Sequence, residues 1–184
     1  MTFKIEGFAI ISEDGMLADA NGVMPPALVI EADQAQLAEG LDRADAIIHG
    51  RNSHEGQRNS PRRKRLIATR HVKAIEIDEE HAHALLWNPA GVPFEKALER
   101  LGVTGGTIAV LGGTDLFGMF LPAYDVFHLT RVPDVRLPGG RPIFPQVQGL
   151  SAEDVLRAAG LHPGPVRMLD TARRVSVVTW RRKR

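Results

Sequence analysis

The stretch Ile108-Ala109-Val110-Leu111-Gly112-Gly113-Thr114-Asp115-Leu116-Phe117 decides the fold. Its first residues are apolar and β-favouring, as in a strand buried on both faces, and Gly112-Gly113 then ends the strand and opens a helix. Upstream, Pro93 to Leu101 carries Phe94, Ala97, Leu98 and Leu101 at helical spacing, so a helix leads into a strand at Thr107 to Leu111. The same order occurs earlier. Asp33 to Arg43, with Leu37 and Leu41 four apart, predicts a helix, and Ala44 to Gly50 predicts a short buried strand ending at glycine. Phe3 to Ile11 is apolar almost throughout and belongs at the centre of a sheet. Strand, helix and strand in succession predict parallel pairing and an α/β fold.

Shorter strands are expected at Leu66 to Thr69, Val72 to Ile77, Ala84 to Trp87 and Val126 to Val132. Ser12-Glu13-Asp14-Gly15 is a turn, and the chain from there to Met24-Pro25-Pro26 holds too many breakers for regular structure, so a long loop is expected. Pro133, Pro138, Gly139-Gly140, Pro142 and Pro145 mark a second loop. Ser151-x-x-Asp154 is a cap-like start for a helix to Ala159, and Val166 to Leu169 with Val175 to Trp180 predicts a closing hairpin.

The 184 residues are expected to form one domain, residues 1–184, ending in a basic tail at 181–184. A hydrophobic fraction of 43% and a charged fraction of 24% are those of a globular chain. A formal net charge of +1 gives no whole-molecule attraction to nucleic acid or an acidic membrane, and neither is expected as a partner. Cysteine is absent, which excludes disulfides, thiolate metal sites and thiol nucleophiles. No apolar run reaches the roughly 20 residues of a membrane-spanning helix, and the expected compartment is the cytoplasm.

Three strand ends carry chemistry. Glycine at Gly112-Gly113 lets backbone approach a bound group, and amides at a helix start suit phosphate; a plain strand-to-helix turn would use the same residues. His49-Gly50-Arg51-Asn52-Ser53 offers a second glycine followed by polar groups. Leu66-Ile67-Ala68-Thr69-Arg70 adds a hydroxyl and a guanidinium, suited to a 2′-phosphate. In an open α/β sheet, such ends face a common crevice beyond the carboxyl edge.

Phe8 to Gly22, Ile47-Ile48-His49-Gly50-Arg51, Val110 to Phe117, Leu121-Pro122-Ala123-Tyr124-Asp125 and Phe144-Pro145 together resemble the dihydrofolate-reductase-like superfamily. Ser12-Glu13-Asp14-Gly15 and Arg43-Ala44-Asp45-Ala46-Ile47 look more like the reductase domain of the bifunctional riboflavin-biosynthesis deaminase-reductase than like dihydrofolate reductase. The resemblance implies a three-layer sandwich with a mostly parallel central sheet and a C-terminal antiparallel hairpin. It implies an NADPH-dependent oxidoreductase acting on a pyrimidine or pteridine-like substrate, of the 5-amino-6-(5-phosphoribosylamino)uracil reductase type. The alternatives are a dihydrofolate reductase and a non-catalytic nucleotide-binding module; a homodimer, with the late strands and Trp180 as its surface, is implied by analogy, and Trp87 and Trp180 read otherwise as core or interface residues.

For the cofactor the resemblance implies Ala9 and Leu17 at the nicotinamide, and Gly50, Arg51, Asn52 and Ser53 at the phosphates. Thr69 and Arg70 would hold the adenosine 2′-phosphate, with Leu111, Gly112, Gly113, Thr114, Asp115, Leu116 and Phe117 along the diphosphate. Asp115 and Phe117 depart from the arginine and tyrosine common in that family, and a carboxylate at Asp115 would repel a diphosphate unless paired. Glu31 and Asp33 are the candidate proton-donating acids; capping and solvent exposure are the bland readings of the same residues. Arg63 is the candidate grip for an acidic substrate tail. The run Arg58, Arg62, Arg63, Lys64, Arg65 is otherwise expected to be a solvated face, because no aromatics interleave it. His49, His54, His81 and His83 lack ligand spacing and are expected at the surface, with no metal.

Overall fold

The computed structural model describes residues 2–183. Eleven strands are β1 (Phe3–Ser12), β2 (Met16–Ala18), β3 (Ala46–Gly50), β4 (Arg65–Ala68), β5 (Ile75–Ile77), β6 (Ala84–Trp87), β7 (Gly106–Val110), β8 (Val126–Val132), β9 (Arg141–Pro142), β10 (Leu161–Asp170) and β11 (Val175–Arg182). Four helices are α1 (Glu31–Arg43), α2 (Phe94–Arg100), α3 (Thr114–Met119) and α4 (Ala152–Ala158). The main sheet has nine strands in the order β10-β11-β8-β1-β7-β3-β4-β6-β5. Strands β8, β1, β7, β3, β4 and β6 run parallel, while β10, β11 and β5 are antiparallel to their neighbours. The expected α/β sandwich with a parallel centre and closing hairpin is therefore the fold.

Each face of the sheet has its own apolar layer. Ile5, Ile48, Ile108 and Val110 pack with Leu98, Phe117, Phe127 and Leu156 in the larger cluster, which includes buried residues of α2, α3 and α4. On the opposite face Phe8, Ile47 and Ala109 meet Leu41 of α1, with Leu37 packed alongside. Gly40 sets how closely α1 approaches: a Cβ there would stand 2.6 Å from the Phe8 ring. Trp87 and Trp180 are each 1% exposed, which is the core alternative of the two expected for them and takes Trp180 off the surface.

Other boundaries moved for physical reasons. The helix expected from Asp33 begins at Glu31, capped by Ile30 without a side-chain bond, so Asp33 is an interior first-turn residue and not a cap. The expected loop after Gly15 contains β2, which pairs with β9 across the two proline-rich segments. Only Ile75–Ile77 of the strand expected from Val72 is extended. The closing hairpin is longer than expected because β10 is an edge strand and tolerates Pro163 and Pro165, with a register shift between Pro163 and Val166.

Of the expected basic tail, Arg181 and Arg182 are in β11. Arg182 belongs to β11 and donates to the carbonyls of Tyr124 at 2.9 Å, Ala159 at 2.7 Å and Leu121 at 3.2 Å. Arg184 lies outside the described residues.

The Gly40 contact reverses an ordinary helix rule. Alanine inside a helix is usually better than glycine by about 1 kcal/mol, yet Gly40→Ala overpacks Phe8 and is expected to destabilise by about 1–3 kcal/mol in urea unfolding.

Candidate functional site

One cleft of about 1570 Å³ opens beyond the carboxyl ends of β1, β7, β3 and β4. Parallel pairing brings Gly50, Ala68 and Val110 to neighbouring strand ends, which places the three segments expected to carry chemistry on one rim. The Gly50 N–H donates to the Gly112 carbonyl at 2.7 Å, closing the seam between β3 and β7. At Gly112 the backbone has φ +93°, and a Cβ would stand 2.5 Å from the Phe117 ring. At Gly113 an added Cβ would meet nothing within 4 Å, so this backbone faces open space. Bare backbone in the wall of a cleft is what the close approach of a diphosphate requires, and the residues fit that group.

Every residue implied for the cofactor lines the cleft except Gly112, whose peptide supports the wall. Three of them have partners that qualify their roles. Thr114 donates its hydroxyl to the Pro142 carbonyl at 2.5 Å and so ties the start of α3 to β9. Arg70 and Asp115, both highly exposed, pair at 3.7 Å across the rim, so the carboxylate that departs from the family pattern has a cation beside it. α3 has only six residues, and its contribution is local N–H groups, with little helix field behind them.

At the other end of the cleft lies Asp33. It is 8% exposed, lines the cavity, and accepts the Thr130 hydroxyl on Oδ1 at 2.5 Å. Burial pushes its carboxyl above the ordinary range, with the Thr130 bond opposing in part. Glu31 is exposed and is not part of the wall. Phe8, His128 and Thr130 complete this end. His128 stacks on Phe8 at 4.6 Å and approaches Glu6 at 3.6 Å; that contact, with Lys4, holds the Glu6 carboxyl down to about 2. These residues escaped the sequence reading, because period-2 alternation on β1 and β8 says which residues share a face but not which face α1 leaves open.

In the basic run Arg58 and Arg62 are exposed as expected, and the expectation is corrected at Arg63 and Arg65. Arg63 and Arg65 are 8% and 1% exposed and converge on Glu55 at 3.0 and 2.6 Å. Arg63 also binds Asp42 at 2.6 Å and Gln57 at 2.9 Å, and it is absent from the cleft wall. Its donors are committed to neighbouring acceptors, so it does not grip a substrate from this position. The isolated signal was Glu55 itself, an acid eight residues before one arginine and ten before the other.

The surface assignment of the histidines fails at His49, which is 1% exposed. Its Nδ1 lies 2.8 Å from the Gly50 carbonyl and its Nε2 lies 3.2 Å from Arg65 Nη1. His54 packs edge-on against His49 at 5.6 Å and lies 4.6 Å from His81.

Fold and cleft together define an α/β protein of the dihydrofolate-reductase-like fold. Among solved structures, dihydrofolate reductase from Enterococcus faecalis, complexed with NADP(H) and RAB-propyl, is similar with a TM-score of 0.66 at 16% identity, over 98% of this chain and 97% of that one. A pyrimidine reductase-like protein from Corynebacterium diphtheriae gives 0.67 at 15% identity, over 98% and 92%. The diaminohydroxyphosphoribosylaminopyrimidine deaminase/5-amino-6-(5-phosphoribosylamino)uracil reductase of Thermotoga maritima gives 0.68 at 17% identity over 99% of this chain, which spans 57% of that longer one. No protein-family profile and no curated protein matches the chain. No helix among the described residues is long and apolar enough to cross a membrane.

His49 makes stability depend on pH. Burial first, then Arg65 and His54, lower its pKa from 6.5 to about 4, while the Gly50 carbonyl and Glu55 act against them. The folded chain thus binds this proton less well than the unfolded chain, and stability falls as pH drops from 6.5 towards 4. The expected loss is about 3 kcal/mol by linkage, read by urea unfolding at several pH values; His49→Asn should remove that part of the slope.

Proposed function

We propose that this chain is an NADPH-dependent reductase of a pyrimidine- or pteridine-like ring. The observation that carries the reading is one cleft with a glycine-backed rim at one end and a buried acid, Asp33, at the other. Its volume exceeds the roughly 300–1,000 Å³ of ordinary ligand pockets and suits a dinucleotide with a second molecule beside it.

When bound, the nicotinamide supplies a hydride to a substrate carbon. In this reading Gly50 and Gly113 bring backbone to the diphosphate, with Arg51, Asn52 and Ser53 alongside. Thr69 and Arg70 meet the adenosine 2′-phosphate, and Asp115 moderates the attraction because it already neutralises Arg70. Ala9 and Leu17 exclude water from the nicotinamide. Asp33 orients the substrate and keeps a proton beside the atom next to the one reduced. Thr130 fixes the carboxyl by donating to Oδ1, which leaves Oδ2 and the second lone pair of Oδ1 for donors on the ring.

A buried carboxylate pairs best with two adjacent donors, as in the N–H and amino group of a 2-aminopteridine. In a uracil ring N3–H is flanked by two carbonyls, but N1–H of a 6-aminouracil lies beside the exocyclic N–H and offers the same pair of adjacent donors. Asp33 with Thr130 therefore suits either ring, a dihydropteridine or an aminouracil that carries its phosphoribosyl arm.

Titration with NADPH, followed by cofactor fluorescence, is expected to saturate, and NADPH oxidation is expected to proceed with dihydrofolate or with the 5-amino-6-(5-phosphoribosylamino)uracil type of substrate. Binding without turnover on any pterin or aminouracil would instead identify a nucleotide-binding module. Asp33→Asn should lower turnover by about 10²–10⁴-fold with little change in NADPH affinity. The unsubstituted protein should lose activity as pH climbs through the raised Asp33 pKa. Asp115→Asn, which releases Arg70, should tighten NADPH binding by about 2- to 5-fold at low salt and have no effect at high salt.

A further inference from the structure

A fully buried arginine in a strand needs a reason, since the transfer of its charge from water is costly. Arg65 has three kinds of partner: Glu55, the Ser60 carbonyl and hydroxyl, and His49. The last of these fixes a chemical state. A guanidinium only donates, so His49 Nε2 at 3.2 Å from Nη1 must accept, which makes the ring neutral with its proton on Nδ1. Nδ1–H then donates to the Gly50 carbonyl at 2.8 Å, and the N–H of the same glycine is held by Gly112 at 2.7 Å. A single chain of bonds runs Glu55, Arg65, His49, Gly50, Gly112.

Both peptide groups of Gly50 are thus oriented, one by each end of this chain. The segment that supplies Glu55 also reaches α1, because Gln57 Nε2 donates to the Gln34 carbonyl at 3.3 Å and Arg63 binds Asp42. The wall that carries Asp33 and the glycine rim are fastened to one ionic cluster.

We propose that His49 is a positioning residue for the dinucleotide, held by Arg65 and acting through the Gly50 carbonyl. The proposal rests on the reading of the cleft as a dinucleotide site. Without the His49 bond the Gly50 carbonyl keeps only the Ser53 N–H at 3.1 Å, and the backbone that approaches the diphosphate is less firmly preorganised. The role is independent of hydride chemistry, and its signature is affinity with turnover at saturation unchanged.

Two substitutions separate positioning from packing. His49→Asn keeps an amide N–H where Nδ1 stands and loses the Arg65 contact. His49→Gln keeps a group facing Arg65 and loses the Gly50 bond. Both remove the imidazole, so a purely structural role weakens them alike or harms the smaller asparagine more. NADPH titration by fluorescence is expected to give His49→Asn a Kd within about threefold of the unsubstituted protein and His49→Gln one about tenfold weaker, as for one lost hydrogen bond. Equal affinity in the two variants overturns the proposal and leaves the reductase reading standing. Failure of the unsubstituted chain to bind NADPH overturns both. Should either variant not fold, ¹⁵N spectra of the unsubstituted protein decide: the His49 Nδ1–H signal is expected to shift on addition of NADPH, and a signal that does not move overturns the proposal.

Discussion

The seam between β3 and β7 is the constraint on which the cleft depends. A backbone bond from Gly50 to Gly112 joins two parallel strand ends at the position where both chains turn away from the sheet. Gly112 tolerates no side chain, since its φ is +93° and a Cβ would enter the Phe117 ring, while a Cβ on Gly50 would come to 3.4 Å from Gly113 N. The seam therefore stays bare, and bare backbone is what a charged ligand can approach closely. β1 on one side and β4 on the other then supply Ala9 and Thr69 to the same opening.

Charge is distributed in two layers around this opening. Arg70 and Asp115 stand in solvent, where their attraction is weak and screened. Arg63, Glu55 and Arg65 are beneath, where each charge has a partner and the carboxylate forms ion pairs with both guanidiniums. Burial works to raise the Glu55 pKa, but Arg65, the Gln57 N–H and Arg63 together bring it below the ordinary value. The buried layer fixes geometry, and the exposed layer meets whatever arrives from water.

Much of the fold was legible because its signals are local. Apolar runs at Phe3 to Ile11 and Ile108 to Leu111 state double-sided burial, and glycine after each strand states where it ends. Asp33 could be proposed as an acid but not separated from Glu31, since that choice depends on how α1 rotates over Thr130, and Thr130 is 97 residues away. Arg63 and Arg65 read as solvated because composition reports charge without partners. Their neutralisation depends on a loop that folds Glu55 back over β4, which no periodicity encodes. His49 failed for the same reason: its burial follows from a strand parity that the sequence shows, but its role follows from an arginine on the next strand.

A long sheet has two open edges, and each invites a foreign strand. At one, β10 interrupts its own hydrogen-bonding row with Pro163 and Pro165, so half of its length cannot template a neighbour. At the other, β5 is three residues long and carries Glu76, too short and too charged to recruit a partner. The segment that stays competent is Val166 to Met168, where two apolar side chains face water. Self-association through the sheet, whether orderly or as aggregates, is thereby confined to a few residues at one corner of the molecule.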